Sequence, residues 1–168
     1  GGKMIQTVFT VTKLLSLFGL IVFGFILGAN AEVWNANWTD AWTMKSMTKG
    51  TGELSAAIIM PVLGAGALGA IAASMVGSIF SSDAWNNVTF IAGEIKNPQK
   101  NIGLSLFLGT LIVTLIYVSA NLMYLSVLPL DQIAFAQSDR VAVTASNIIL
   151  GGIGTYIIAE MIMVYTFV

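Results

Sequence analysis

Two residue types with reactive side chains are absent from this chain of 168 residues, which contains no cysteine and no histidine. Without cysteine there are no disulfides and no thiolate chemistry, and haem and most zinc or copper sites lose their usual ligands. Without histidine the commonest general base is also missing. Paired carboxylates are not evident either. We therefore predict that the protein is not an enzyme and holds no cofactor or metal ion.

Charged residues are scarce as well, at 9% of the chain, against roughly 25% in an ordinary soluble domain. Seven basic and eight acidic residues give a net charge of −1. They form no basic patch, which argues against nucleic acid as a partner. The chain is 57% hydrophobic, with a mean hydropathy of +0.87. Its apolar residues are collected into runs long enough to cross a bilayer, so the sequence predicts an all-α, multi-spanning membrane protein.

Four apolar runs define the predicted spans. They cover residues 4–29, 60–94, 103–128 and a last run that starts at 141 or 148 and continues to 168. The polar segments between them are residues 31–55, 94–102 and 129–140. Cytoplasmic loops favour Lys and Arg. Segment 94–102 carries Lys96 and Lys100 against Glu94, and each of the other two segments sums to −1. We therefore expect segment 94–102 inside and the other two outside.

The second apolar run is the most informative, because it is far longer than one straight crossing. The polar triplet Ser81-Ser82-Asp83 interrupts it. A carboxylate in a continuous mid-membrane helix is costly, and irregular backbone at that depth is tolerated only where it lines a cavity. The sequence therefore predicts a helix up to Phe80, a break near 81–83 and a second helix over 84–92. The alternative is a kink whose hydroxyls bond back to the preceding turn.

Two ionisable residues lie within apolar runs. Lys13 lies in the first run, and ionisable residues inside a span are rare and usually functional. The alternative is that its ammonium snorkels to the inner surface, since it lies about nine residues from the start of the span. Glu160 lies in the last run, where it would face a water-filled cavity or pair with another span.

Three smaller patterns predict surfaces. Trp34, Trp38 and Trp42 recur every four residues, which predicts one helical face lying either among lipid headgroups or on the protein's own surface. Small residues four apart, at 69, 73 and 77, predict a face for close helix packing. Residues 37–39, Asn-Trp-Thr, fit a glycosylation sequon, although that pattern is common.

Three segments resemble motifs of amino-acid permeases. FSSDAWN at residues 80–86 resembles F-x-x-D/G-G-W-N, with Ala84 in place of the glycine. EIKNPQKNI at residues 94–102 resembles E-x-x-N-P-x-R/K-N-I/L-P. TKLL at residues 12–15 resembles a segment around a membrane-embedded lysine. On these motifs the chain is identified as a member of the amino acid–polyamine–organocation superfamily, nearest its L-type exchanger branch.

The resemblance implies a leucine-transporter-like fold of twelve spans, arranged as a five-plus-five inverted repeat with broken helices. This chain resembles spans five to eight. The resemblance further implies that Phe80 is a gating aromatic, with ordinary core packing as the alternative. It implies that Ser81, Ser82 and Asp83 offer backbone carbonyls to a substrate ammonium. Lys13 would occupy the place that a sodium ion takes in sodium-coupled relatives.

The function implied is secondary active transport of amino acids by alternating access, either by exchange or coupled to protons and independent of sodium. The expected partners are an amino-acid substrate, the lipid bilayer of a plasma or bacterial inner membrane, and the remaining spans of a longer transporter. The chain opens without Met and is apolar to its end, so we expect a piece that is inactive alone. The alternative is a structural or assembly subunit, but a helix that only packs has no need of the Ser-Ser-Asp triplet.

Overall fold

The structure is a computed structural model that describes residues 2–43, 45–48, 58–61, 65–81, 90, 93, 95, 97–136 and 140–166. Helices dominate these residues, as predicted for an all-α chain. The chain divides into two compact units. The terminal unit comprises Gly1–Trp42, Met47–Ile58 and Ile116–Val168. The central unit comprises Thr43–Ser46 and Ile59–Leu115.

Two of the described helices are long and apolar enough to cross a membrane. Helix α1 spans Gly2–Phe23 and continues as a π-helical segment over Gly24–Gly28. Helix α4 spans Pro98–Val127. The apolar stretch from Met4 to Gly28 has 25 residues and α4 has 30, which correspond to about 37 and 45 Å at 1.5 Å per residue. Both lengths exceed a hydrocarbon core of about 30 Å.

Helix α4 begins at Pro98, five residues before the start of the predicted span at 103. Proline suits the first helical position, because its missing N–H would have no helical partner there and its φ already fits a helix. Asn97 precedes it with a φ of 51°. The Asn97 carbonyl accepts hydrogen bonds from the backbone N–H groups of Lys100 and Asn101, at 3.2 and 3.1 Å. The Asn-Pro pair therefore starts the helix, and the polar end of segment 94–102 is helical.

A short helix, α2, follows the π-helical segment and spans Ala31–Trp38. Asn30 caps it, since its side-chain oxygen accepts from the N–H groups of Glu32 and Val33. The rings of Trp34 and Trp38 lie 5.4 Å apart between centroids. The predicted face of three indoles is wrong in its third member, because α2 ends at Trp38 and Trp42 lies beyond it, 99% exposed.

Two short strands also occur among the described residues. Strand β1 spans Lys45–Thr48 and β2 spans Ile58–Pro61, and they pair as a two-stranded sheet. The β-branched pair Ile58-Ile59 favours extended backbone. Helix α3 follows in the central unit, over Ala65–Ser81. No atom lies within 4 Å of a Cβ built on Gly69 or Gly77. The predicted small-residue packing face is therefore open within the described parts of this chain, and its packing stays a prediction.

The last apolar run is divided, which the sequence analysis did not predict. A short helix, α5, spans Leu130–Ala134 in the preceding polar segment 129–140. Within the run itself, α6 spans Val141–Leu150 and α7 spans Ile153–Thr166. Gly151, with a φ of 67°, ends α6. Beyond it, a Cβ on Gly154 would collide with the backbone carbonyl of Ser146. The hydroxyl of Thr155 donates to Asn147 Oδ1 at 2.7 Å. Glycine thus permits a tight corner between α6 and α7.

The core of the terminal unit lies where the C-terminal ends of α1 and α4 meet α6 and α7. Its buried members are Leu20, Met123, Val127, Leu128, Ala145 and Ile158. Glycines allow the close approach, because a Cβ on Gly24 would overlap the Met123 side chain. A Cβ on Gly28 would lie only 2.8 Å from Ile149 and 3.0 Å from Val127. The π-helical segment therefore contacts both α4 and α6.

Candidate functional site

The predicted substrate site lies at the end of α3. Phe80 and Ser81 are the last two residues of that helix, so Ser81 is still helical. Ser82 and Asp83 lie outside the described residues, as does most of the second helix predicted over 84–92. The break itself therefore stays a prediction. A helix that ends at the polar triplet would direct the negative end of its dipole towards it.

Lys13 lies within α1 and its side chain is half-buried. It lies nine residues after Met4, or about 14 Å along the helix axis. Ser16, Leu17 and Leu20 follow it at intervals of three, four and seven residues, so all four share one face of α1. The predicted cation thus lies on the same helix face as residues that pack into the core of the terminal unit.

That face of α1 borders a cavity of about 110 Å³. Its lining residues are Ser16, Leu17, Leu20, Tyr124, Ala142, Ile158 and Met161. The walls are almost entirely hydrocarbon, although Ser16 and Tyr124 are among the lining residues. Lys13 lies one turn of α1 away from Ser16.

Glu160 is on α7 between two lining residues of this cavity, Ile158 and Met161, but its own side chain is exposed. Across the described ranges, the acidic residues form no group of three that could hold a metal ion. Within the described residues, the arrangement places the half-buried Lys13 on the face of α1 that borders the cavity.

Lys13 belongs to the terminal unit, and Phe80 and Ser81 belong to the central unit. The predicted coupling residue and the predicted substrate site thus lie on separate units. Lys13 lies one helical turn before the cavity residue Ser16, and Phe80 and Ser81 are consecutive at the end of the described part of α3.

Asn37 is a structurally important residue whose role the sequence did not reveal. It is 9% exposed on α2. Its amide nitrogen donates to the backbone carbonyls of Leu125 and Leu128, at 2.8 and 2.9 Å. Its amide oxygen accepts from the N–H of Leu130 at 3.1 Å. These partners are backbone groups about 90 residues away in the chain, so no side-chain pattern points to them. The amide of the apparent sequon is therefore buried and hydrogen-bonded.

Apolar membrane-length helices, a lysine within one of them and a polar triplet in the sequence after the shorter α3 are typical of an integral membrane transporter. Comparison with known proteins supports the same class. The chain belongs to the amino acid permease family, whose model matches residues 2–168. This family consists of membrane permeases rather than enzymes and implies a leucine-transporter-like fold. The resemblance and the all-α class predicted from the sequence are therefore confirmed.

Individual relatives are distant and much longer. The chain is 26% identical to the human (Homo sapiens) b(0,+)-type amino acid transporter 1 over 149 residues, which cover 89% of this chain and 26% of that protein. It is 26% identical to the serine/threonine exchanger SteT of Bacillus subtilis (strain 168) over 166 residues, which cover 99% of this chain and 32% of that protein. The chain thus spans about a quarter to a third of the length of these relatives. No solved structure matches it.

Proposed function

We propose that the full-length protein is a secondary transporter that moves amino acids across a plasma or bacterial inner membrane by alternating access. The observation that carries the proposal is the match of the whole described chain to the amino acid permease family. The relatives named above are an amino acid transporter and a serine/threonine exchanger, which supports amino acids as the substrate class. No covalent chemistry is needed, because transport requires only binding and a change of access.

The substrate ammonium binds at the end of α3, where Ser81, Ser82 and Asp83 present backbone carbonyls. Unwound carbonyls and helix C-terminal ends suit a cation, because they supply negative dipoles without a full buried charge. Helix α3 is described up to Ser81, so the assignment lies directly after the last described residue of this helix. Phe80, one residue earlier, closes over the bound substrate as a gating aromatic.

Lys13 replaces a coupling sodium ion, so transport proceeds by exchange or with protons and without sodium. Its half-buried position about 14 Å into the first span supports a fixed cation within the membrane rather than a surface group. The remaining spans of the transporter supply the facing part of the site. This chain alone therefore does not transport.

The decisive experiment is counterflow in proteoliposomes that contain the full-length protein. Vesicles are loaded with one unlabelled L-amino acid at a time, and uptake of its labelled form is followed with and without sodium. We expect saturable, stereoselective uptake that does not depend on sodium. Protein-free vesicles and vesicles loaded with the D-isomer are the controls. If no L-amino acid drives uptake above these controls, the proposed function is wrong.

A further inference from the structure

Asn37 of α2 and its cap residue Asn30 form hydrogen bonds with backbone groups at the C-terminal end of α4. In an α-helix the carbonyl of residue i accepts from the N–H of residue i+4. The partner of the Leu125 carbonyl would be the N–H of residue 129, and residue 129 is proline, which has none. The Asn37 amide takes that place, because its nitrogen donates to the Leu125 carbonyl at 2.8 Å.

The neighbouring backbone groups also have hydrogen-bond partners, some within the helix and some from Asn30 and Asn37. The Tyr124 carbonyl accepts from the Leu128 N–H at 2.8 Å, within the helix end itself. If the helix continued, the Ser126 carbonyl would next accept from the Leu130 N–H. These two groups instead bond to other partners. The Ser126 carbonyl accepts from the Asn30 N–H at 2.9 Å, and the Leu130 N–H donates to Asn37 Oδ1 at 3.1 Å.

We propose that Asn37 is a positioning residue whose amide substitutes for the missing N–H of Pro129 and thereby fixes α2 to the end of α4. Because α2 follows directly from the π-helical end of α1, this tie holds the ends of two spans together. Asn37 acts through both halves of its amide, with two donated bonds and one accepted bond. The inference does not depend on what the protein transports.

The relative stabilities of two substitutions at position 37 distinguish a hydrogen-bond donor from a side chain that only fills space. Asn37→Asp keeps the shape of the side chain, but its ionised carboxylate cannot donate and would face the carbonyl oxygens of Leu125 and Leu128. Asn37→Ala removes the side chain and leaves room for water at those carbonyls. A donor role therefore makes the isosteric Asn37→Asp change worse than truncation, whereas a space-filling role makes truncation worse.

The test is unfolding of the full-length protein in detergent for wild type, Asn37→Asp and Asn37→Ala. Asn35→Asp is the matched control, because Asn35 is exposed on the same helix. At neutral pH we expect the unfolding equilibrium constant to rise about tenfold for Asn37→Ala. It rises further for Asn37→Asp and stays within error for the control.

Unfolding measured across a pH series also distinguishes the donor role of Asn37 from a space-filling role. Burial beside two carbonyl oxygens raises the pKa of the introduced carboxyl above the roughly 3.9 of a free aspartate, so lowering the pH protonates it and lets it donate to one carbonyl. Asn37→Asp then recovers stability relative to wild type at the same pH, and Asn37→Ala does not. The other described acidic groups on and beside these elements, Glu32, Asp40 and Asp131, are exposed and are present unchanged in wild type and in every variant.

A double substitution keeps the proposal testable if Asn37→Asp does not fold. Pro129→Ala restores an N–H at position 129, so Asn37→Ala should cost less in the Pro129→Ala background than in wild type. Coupling of this kind is expected only between groups that share a partner. Truncation worse than Asn37→Asp at neutral pH, no recovery in acid, or additive effects of the two alanine substitutions would each overturn the proposal.

Discussion

Gly24 lies so close to Met123 that a single added methyl group would overlap the methionine side chain. Met123 is 0% exposed, so its side chain has no open space into which to move, and Ile149 lies 3.3 Å from the same Cβ position. We therefore expect Gly24→Ala to lower the free energy of unfolding by about 1–3 kcal/mol. The measurement is denaturant unfolding in detergent.

Gly19→Ala is the control for this prediction, because nothing lies within 4 Å of its Cβ position. Alanine is the better helix former by about 1 kcal/mol, so Gly19→Ala should be neutral or slightly stabilising. Shortening the opposing side chain with Met123→Ala should reduce the effect of Gly24→Ala. Equal effects of the two glycine substitutions would contradict the close contact.

The corner between α6 and α7 makes a second glycine prediction. A Cβ on Gly154 would meet the Ser146 backbone carbonyl, which cannot rotate away as a side chain can. We expect Gly154→Ala to destabilise the protein by about 2–3 kcal/mol and to speed amide exchange across the corner. Gly152→Ala, two residues earlier in open space, should change neither quantity. Hydrogen exchange measured by mass spectrometry distinguishes the two variants.

Lys13 can be tested in the full-length transporter. If its ammonium replaces a sodium ion, Lys13→Ala leaves buried acceptors without a partner, at about 1–3 kcal/mol for each group. That shifts an equilibrium between inward-facing and outward-facing states by about tenfold or more. We expect Lys13→Ala to abolish uptake or change its pH dependence while the protein still inserts.

The comparison for this prediction is Lys100→Ala, because Lys100 is exposed in the first turn of α4, and it should leave uptake unchanged. Lys13→Arg separates the two interpretations of the sequence, since a snorkelling lysine tolerates arginine. Uptake is measured in proteoliposomes across pH, with and without sodium. Normal uptake by Lys13→Ala at every pH would reject the coupling role.

Phe80 is the predicted gating aromatic at the end of α3. If its ring closes over the substrate, Phe80→Ala should raise the KM for uptake by up to about tenfold, because the lost aromatic contact contributes roughly 0.5–1.5 kcal/mol. Phe107→Ala, on an exposed part of α4, is the matched change and should leave KM as it is. An unchanged KM for Phe80→Ala would instead indicate ordinary packing.

The long helices could be predicted from the sequence because hydropathy is a local property. Runs of apolar residues predicted α1 and α4 to within a few residues, and Pro98 marks the start of α4. The motifs at residues 80–86 and 94–102 were enough to identify the family. The substrate and coupling assignments of Phe80, Ser81, Ser82, Asp83 and Lys13 stay predictions.

Features that depend on distant backbone groups could not be predicted in this way. Asn37 is an ordinary polar residue in the sequence, and its partners at residues 125–130 become neighbours only in the folded chain. The corner before α7 did leave a signal in the sequence Gly-Gly-Ile-Gly at 151–154. It was missed because an apolar run of that length reads equally well as one uninterrupted span.

The replacement of the Pro129 N–H by the Asn37 amide has a consequence for how such sequences diverge. Because proline at position 129 leaves the Leu125 carbonyl without its helical donor, we expect substitutions at positions 37 and 129 to be linked. Across an alignment of permeases we expect the two columns to covary, with the amide retained where proline is present and replaced where another residue restores the N–H.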